Sequence, residues 1–258
     1  MDLKDVLYEK RDHIVTITLN RPDRMNTLGG TLQEDLDAAL REAEADSDAR
    51  VVVLTGAGKA FCAGLDLKER VKEDPGTRPY RLRGAETPRI ALNMNTPIVG
   101  AINGPAVGWG FELALLCDYR IGTERARMGD VHVKRGLVQD AAAMITLPRI
   151  VGWSKAARVL LTGEVLDAQE LYDIGVLNEL VPEDKLMDAA WSFAQRIACN
   201  APLAVQMTKR LMRMASPNQL DSVLDYSMML MVGLQKTEDF QEGMKSFLEK
   251  REPQFKGR

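Results

Sequence analysis

Glu112 stands one turn into an apolar helical run within residues 98–122, IVGAINGPAVGWGFELALLCDYRIG, where a solvent-facing acid is not expected. Gly108 and Gly110 precede it and Phe111, Leu113 and Ala114 surround it. Backbone N–H groups at a helix start can hold an oxyanion while a neighbouring carboxylate moves a proton. The same residues also suit a tight turn with a helix-capping glutamate, and both readings stand at this point. A second loop, Lys59-Ala60-Phe61-Cys62-Ala63-Gly64-Leu65-Asp66-Leu67-Lys68, repeats the pattern of small residues, a glycine and a helix start. Neither loop cradles a nucleotide phosphate in the familiar ways. Phe61 fills the third glycine position after Gly56 and Gly58, and Gly58-Lys59 is followed by Ala60. Cys62 has no histidine beside it in sequence and reads as packing.

Elements that could position these loops follow from the periodicities. Residues 6–9 and 13–19 read as a strand pair around Lys10-Arg11-Asp12. A helix capped near Thr31 places Leu32, Leu36, Ala39, Leu40 and Ala43 on one face. Residues 51–55 form an unbroken apolar strand of the kind covered on both faces. Strand, small-residue turn and helix recur near Val15, Val51 and Ile98, which suggests ββα units wound in a spiral. The breaker-rich 74–79 segment reads as a loop, and residues 80–94 as a helix. A further helix is expected from Ala141 towards Pro148, and a short strand over 176–181. From Glu183 onward the pattern is helical with breaks at Pro202 and Pro217. Met228-Met229-Leu230-Met231-Val232 is apolar nearly all round, so burial within the domain or against another subunit is expected.

Length and composition bound the class. The chain has 258 residues, enough for a large core, and a net charge of −3 that argues against phosphate-driven nucleic-acid binding. No stretch approaches the ~20 apolar residues of a membrane span, and residues 1–5 do not resemble a signal peptide. Cys62, Cys117 and Cys199 are widely spaced, pointing to reduced thiols and a cytoplasmic location rather than a disulfide framework or zinc site. With only His13 and His132 present, no histidine-rich metal site is expected.

Taken together, Leu19-Asn20-Arg21-Pro22, the 60–67 loop, residues 102–115, Gly136-Leu137-Val138 and the tail around Glu242-Gly243-Met244 and 247–251 resemble the crotonase (enoyl-CoA hydratase/isomerase) superfamily. The match follows nearly the whole chain in order and spacing. The resemblance implies an α/β fold, a ββα spiral over 1–198 with a C-terminal helical oligomerisation region over 199–258. It implies a homotrimer or dimer of trimers. It also implies an acyl-CoA substrate, no separate cofactor, and a thioester oxygen held by the backbone N–H groups of Leu65 and Trp109. Trp109 replaces the usual glycine, and its indole is expected to narrow the acyl pocket. Coenzyme A is expected against Arg24, the backbone of Ala63, Leu65 and Leu67, and Lys68, with Phe247 and Lys250 of the tail reaching its nucleotide end.

Hydratases of that family use two glutamates. Glu112 matches the first, His132 replaces the second, and Asp140 stands where some family isomerases carry an aspartate. For His132 a packed or surface histidine is the alternative, and for Asp140 the N-cap of the helix at Ala141. The expectation leans to double-bond isomerisation through an Asp140/Glu112 proton shuttle. Water addition by Glu112 with His132 or Asp140 is the alternative, and an acyl-CoA-binding protein without catalysis is a further one.

Overall fold

The computed structural model describes residues 2–66, 86–214 and 220–258. Its frame is a six-stranded sheet in the order β1-β2-β3-β4-β6-β9. Strands β1 (Val6–Arg11) and β2 (Ile14–Leu19) pair antiparallel. The chain reverses at Asp12 and His13, both left-handed at φ 50° and 66°, so β1 runs two residues further than the sequence suggests. β2, β3 (Val51–Gly56), β4 (Ile98–Ile102), β6 (Tyr119–Gly122) and β9 (Glu179–Leu180) are then parallel neighbours.

Between visits to this sheet the chain enters a smaller one, β5 (Ala106–Val107), β7 (Arg127–Gly129) and β8 (Leu166–Asp167). β4 leads into β5 and then α3, and β6 leads into β7. That alternation is the ββα spiral expected from the recurring pattern. The connecting helices among the described residues are α1 (Leu32–Ala45), α2 (Glu86–Asn93), α3 (Trp109–Leu115), α4 (Ala143–Val151), α5 (Trp153–Thr162) and α6 (Ala168–Asp173). α7 (Leu186–Ala198), α8 (Pro202–Met214), α9 (Leu220–Leu234) and α10 (Glu238–Glu249) complete the chain.

The large sheet is covered on both faces, as its unbroken apolar strand requires. Val51 and Val53 pack with Ile14, Val99 and Ile121 against Leu186, Ala190 and Ala194 of α7. Val52 and Leu54 turn the other way, joining Ile17, Leu36, Ile102 and Phe111 in the larger core.

Buried and half-buried polar side chains then tie distant segments. Lys209 of α8 pairs with Asp118 at 2.6 Å and donates to the Thr96 carbonyl at 2.9 Å, fastening α8 to the entry of β4. Arg50, just before β3, donates to the carbonyls of Ala198 at 3.0 Å and Phe255 at 2.8 Å.

One expectation fails locally and another is narrowed. Only Glu179–Leu180 of the 176–181 run pairs as a strand. Gly175 turns at φ 87°, and Val176 and Leu177 bury in the core instead. Met228, Met229, Met231 and Val232 of α9 are exposed in the single chain, so burial within the domain is ruled out for them. The 74–79 loop and the first part of the 80–94 helix lie outside the described residues.

Candidate active site

The two glycine loops meet edge to edge. Cys62 bridges Ala106 in parallel, the Val107 N–H donates to the Cys62 carbonyl at 3.0 Å, and both Phe61 and Cys62 donate to Pro105. Gly110 packs so tightly on this seam that a Cβ there would stand 1.9 Å from the Cys62 oxygen. Asn103 holds the same loop from behind, its amide donating to the carbonyls of Gly56 and Ala60 at 2.8 and 3.1 Å. Buried Asn26, which the sequence reading passed over, also donates to Ala60, at 2.8 Å.

On the other edge Leu65 bridges Leu28 in parallel, with Leu28 bonded to the Gly64 carbonyl and the Asp66 N–H. Parallel pairing that engages residues 64 and 66 aims the N–H of Leu65 the opposite way, towards the seam. Trp109 begins α3, so its N–H has no acceptor within the helix. A Cβ on Gly64, at φ 90°, would lie 3.8 Å from the Trp109 nitrogen. The geometry thus puts the amide of Trp109 beside the 64–65 turn, where two donors can share one oxygen. The Trp109 side chain is core, 4% exposed, with its Nε1 lacking a hydrogen-bond partner.

Glu112 is fully buried and accepts three backbone N–H bonds, from Asp140 at 3.2 Å, Ala141 at 2.8 Å and Ala143 at 2.9 Å. It therefore does cap a helix, though α4 rather than its own. This corrects the N-cap reading of Asp140. α4 starts at Ala143 behind Ala142, which is left-handed at φ 83°, and the Asp140 side chain caps nothing. Burial pushes the Glu112 carboxyl up to about 7, against the pull of those N–H bonds, with nearby Asp130 adding to the rise.

His132 follows β7 in a short 3-10 turn and is neither surface nor core. Its Nδ1 is 2.6 Å from Asp130 Oδ1, and its backbone N–H donates to the same oxygen at 3.1 Å. Asp130 is fully buried, and its Oδ2 has no partner. The bond to Asp130 raises the His132 pKa above the usual imidazole value, against the effect of burial. His132 Nδ1 stands 3.8 Å from Glu112 Oε1, and Nε2 stands 4.0 Å from Asp140 Oδ1, whose side chain is largely exposed. A Cβ on Gly108 would lie 3.8 Å from His132 Cε1, which places the ring against the residue preceding the Trp109 amide. The structure thus brings Glu112 and Asp140 to either ring nitrogen of His132, beside the paired loops.

Glu112, Asp130 and His132 bring one ligand-type atom each within 4.8 Å of the others. These atoms are engaged in hydrogen bonds, with Nδ1 facing Asp130 at 2.6 Å, and that spacing describes a hydrogen-bonded pair rather than two ligands around a cation. Cys62 is buried, and its thiol is pushed up to about 12 by that burial, consistent with packing.

The expected coenzyme A contacts divide. Half-exposed Arg24 stands 3.8 Å from Asp66 at the edge of the 64–66 turn. The Ala63 N–H is spent on the Met25 carbonyl at 3.0 Å, which leaves its carbonyl for a ligand. Leu67 and Lys68 lie outside the described residues. Phe247 and Lys250 stand exposed on and just after α10, whose hydrogen bonds among the described residues run to the tail and not to the Glu112 cluster.

Two loops joined along a seam, with a buried acid beside it, are the features that the comparisons set in a family. The enoyl-CoA hydratase/isomerase family model matches residues 9–258. The chain belongs to that family, the crotonase superfamily, and is an enzyme of it. It is 38% identical to the (E)-benzylidenesuccinyl-CoA hydratase of Thauera aromatica, over 98% of this chain and 99% of that one. It is 34% identical to the 2,3-dehydroadipyl-CoA hydratase of Escherichia coli K12, over 99% and 100%. The crystal structure of enoyl-CoA hydratase from Bacillus anthracis superposes with a TM-score of 0.91 at 33% identity, over 99% of this chain and all of that one.

Proposed function

We propose that this enzyme adds water across the double bond of an enoyl-CoA thioester. The observation that carries the reading is the Glu112–His132 pair, 3.8 Å apart beside the Trp109 amide. Conjugate addition needs one group to take a proton from water and another to give one to the α-carbon, while donors hold the enolate oxygen. The isomerase lean rested on Asp140 across the site and, as its other premise, on the loss of the second glutamate. His132 backed by Asp130 supplies a second acid–base group, which removes that premise. The relatives' names share a reaction and differ in the acyl group, so it is the reaction that carries over. Leu65 and Trp109 hold the thioester oxygen, and Arg24 with the carbonyl of Ala63 faces the coenzyme A portion.

Isomerisation is favoured by one observation of its own. Asp140 presents an exposed carboxylate 4.0 Å from His132 Nε2, across from Glu112. Incubation with crotonyl-CoA, followed by loss of the conjugated thioester absorbance and appearance of 3-hydroxyacyl-CoA, tests hydration. Migration of the double bond in a 3-enoyl-CoA without hydroxy product, abolished by Asp140→Asn, would give the isomerase reading instead. We further propose assembly as a trimer or dimer of trimers, supported by the exposed apolar side chains of α9 and α10.

A further inference from the structure

We propose that Asp130 is the positioning residue of the second acid–base group, holding His132 so that Nε2–H gives the proton to the α-carbon while Glu112 takes one from water. The inference rests on the hydratase reading and assigns the two halves of the reaction to two different groups.

The argument is geometric. Asp130 is wholly buried, and one of its oxygens is shared by the ring Nδ1 and the backbone N–H of His132, at 2.6 and 3.1 Å. A carboxylate in that place demands a proton on Nδ1, which fixes the tautomer and the rotation of the ring. The other oxygen of Asp130 is buried without a partner, so the charge of this carboxylate finds its compensation mainly in His132. With Nδ1 tied inward, Nε2 faces Asp140 and the open side of the site. The charged groups facing the ring are Glu112 on α3, Asp130 after β7 and Asp140 before α4, all acids, so every element packed there favours the protonated ring. Glu112 is the member suited to act as base, because burial brings its carboxyl up to about 7, where it can both take a proton and release it near neutrality.

The step balances with no other reactant. Glu112 accepts a proton from water as the oxygen bonds to the β-carbon, and the π pair moves onto the thioester oxygen. The enolate then collapses as its α-carbon takes the Nε2 proton. The site is left with protonated Glu112 and neutral His132 carrying Nδ1–H. Exchange through solvent moves one proton from Glu112 back to His132.

The chain has only two histidines, so ring NMR of the intact protein resolves the pair without ambiguity. His13, beside Asp48 at the surface, is the internal control. Asp130→Asn is expected to lower the His132 titration midpoint by about one pH unit or more and leave His13 in place. With crotonyl-CoA it should reduce kcat by ~10²-fold with little change in KM, and the basic limb of the pH profile should move down with the NMR midpoint. In a His132→Gln background the same substitution should cost almost nothing further. An unmoved midpoint, or equal losses in both backgrounds, would overturn the proposal. If Asp130→Asn does not fold, the ring nitrogen shifts of the unaltered protein decide, since an Nε2–H tautomer above the midpoint contradicts the assignment. Failure of the wild type to hydrate crotonyl-CoA alongside the predicted tautomer would strike the functional reading, so the two failures are distinguishable.

Discussion

The Glu112 carboxylate on α3 accepts the backbone N–H of Ala143 at 2.9 Å, so the acid at the centre of the site also closes the start of α4. The proposed base and the structural cap are one side chain, so its protonation bears on both roles. The carboxyl is pushed up to about 7 in the folded protein, whereas the unfolded chain leaves it in the ordinary carboxylate range. The folded state thus holds the proton more tightly. Its contribution to stability is full below that ordinary range and is lost as pH rises through about 7. Relative to Glu112→Gln, the wild type should lose on the order of 3 kcal/mol in urea unfolding between about pH 4 and about pH 8. Parallel pH profiles for the two proteins would refute this.

In its proposed role the same group should set an activity limb. If the carboxylate form is the base, kcat/KM for crotonyl-CoA should rise with pH through about 7. Glu112→Gln should drop turnover by ~10²-fold or more and erase that limb. Steady-state rates across the pH range decide it.

Trp109 buries its indole in the core, and only its backbone N–H is proposed to act on substrate. Because Nε1 makes no hydrogen bond, Trp109→Phe should keep most of the turnover and lose about 1–2 kcal/mol of stability. Trp109→Gly should cost about 3–5 kcal/mol in unfolding while the folded fraction still turns over. A folded, inactive Trp109→Phe would show that the indole nitrogen acts on substrate.

Gly110→Ala tests the seam between the loops. The new methyl would collide with the Cys62 carbonyl oxygen, which belongs to backbone and cannot swing aside. The amides of Leu65 and Trp109 would separate, and turnover should fall by ~10²-fold or more, as when an oxyanion donor is lost. Unchanged kcat in a stable Gly110→Ala protein would mean that the thioester oxygen is held elsewhere.

Assembly is checked by sedimentation. Met228, Met229, Met231 and Val232 of α9 and Phe247 and Leu248 of α10 leave large apolar side chains in water in the single chain. The wild type should run as a trimer or hexamer at micromolar concentration, and Met229→Glu with Val232→Glu should shift it towards smaller species. A wild-type monomer would end the proposal.

What could be read from sequence was what depends on near neighbours. Glu112 inside an apolar helix start, the paired glycine loops and the doubly covered β3 all follow from local spacing. The N-cap alternative for Asp140 fails because the acid that does bond the start of α4, Glu112, is 31 residues before Ala143 and no local rule points to it. Asp130 was passed over for a different reason. Its two-residue spacing to His132 acquires meaning only when the turn after β7 bends the ring back onto the carboxylate. The α9 pattern was compatible with burial inside the domain, and only the packing of α8 and α10 leaves that helix uncovered.

Arg50 bonds to the carbonyl of Phe255, a residue made 205 positions later. During synthesis the first βαβ unit can pair its strands early, yet this guanidinium stays without its outermost acceptor until residue 255 has emerged. This contact of the β3 entry is therefore among the late ones to form as the chain is made. A chain clipped before that point would keep β2, β3 and β4 paired and leave the Arg50 guanidinium with the Ala198 carbonyl alone of its two acceptors.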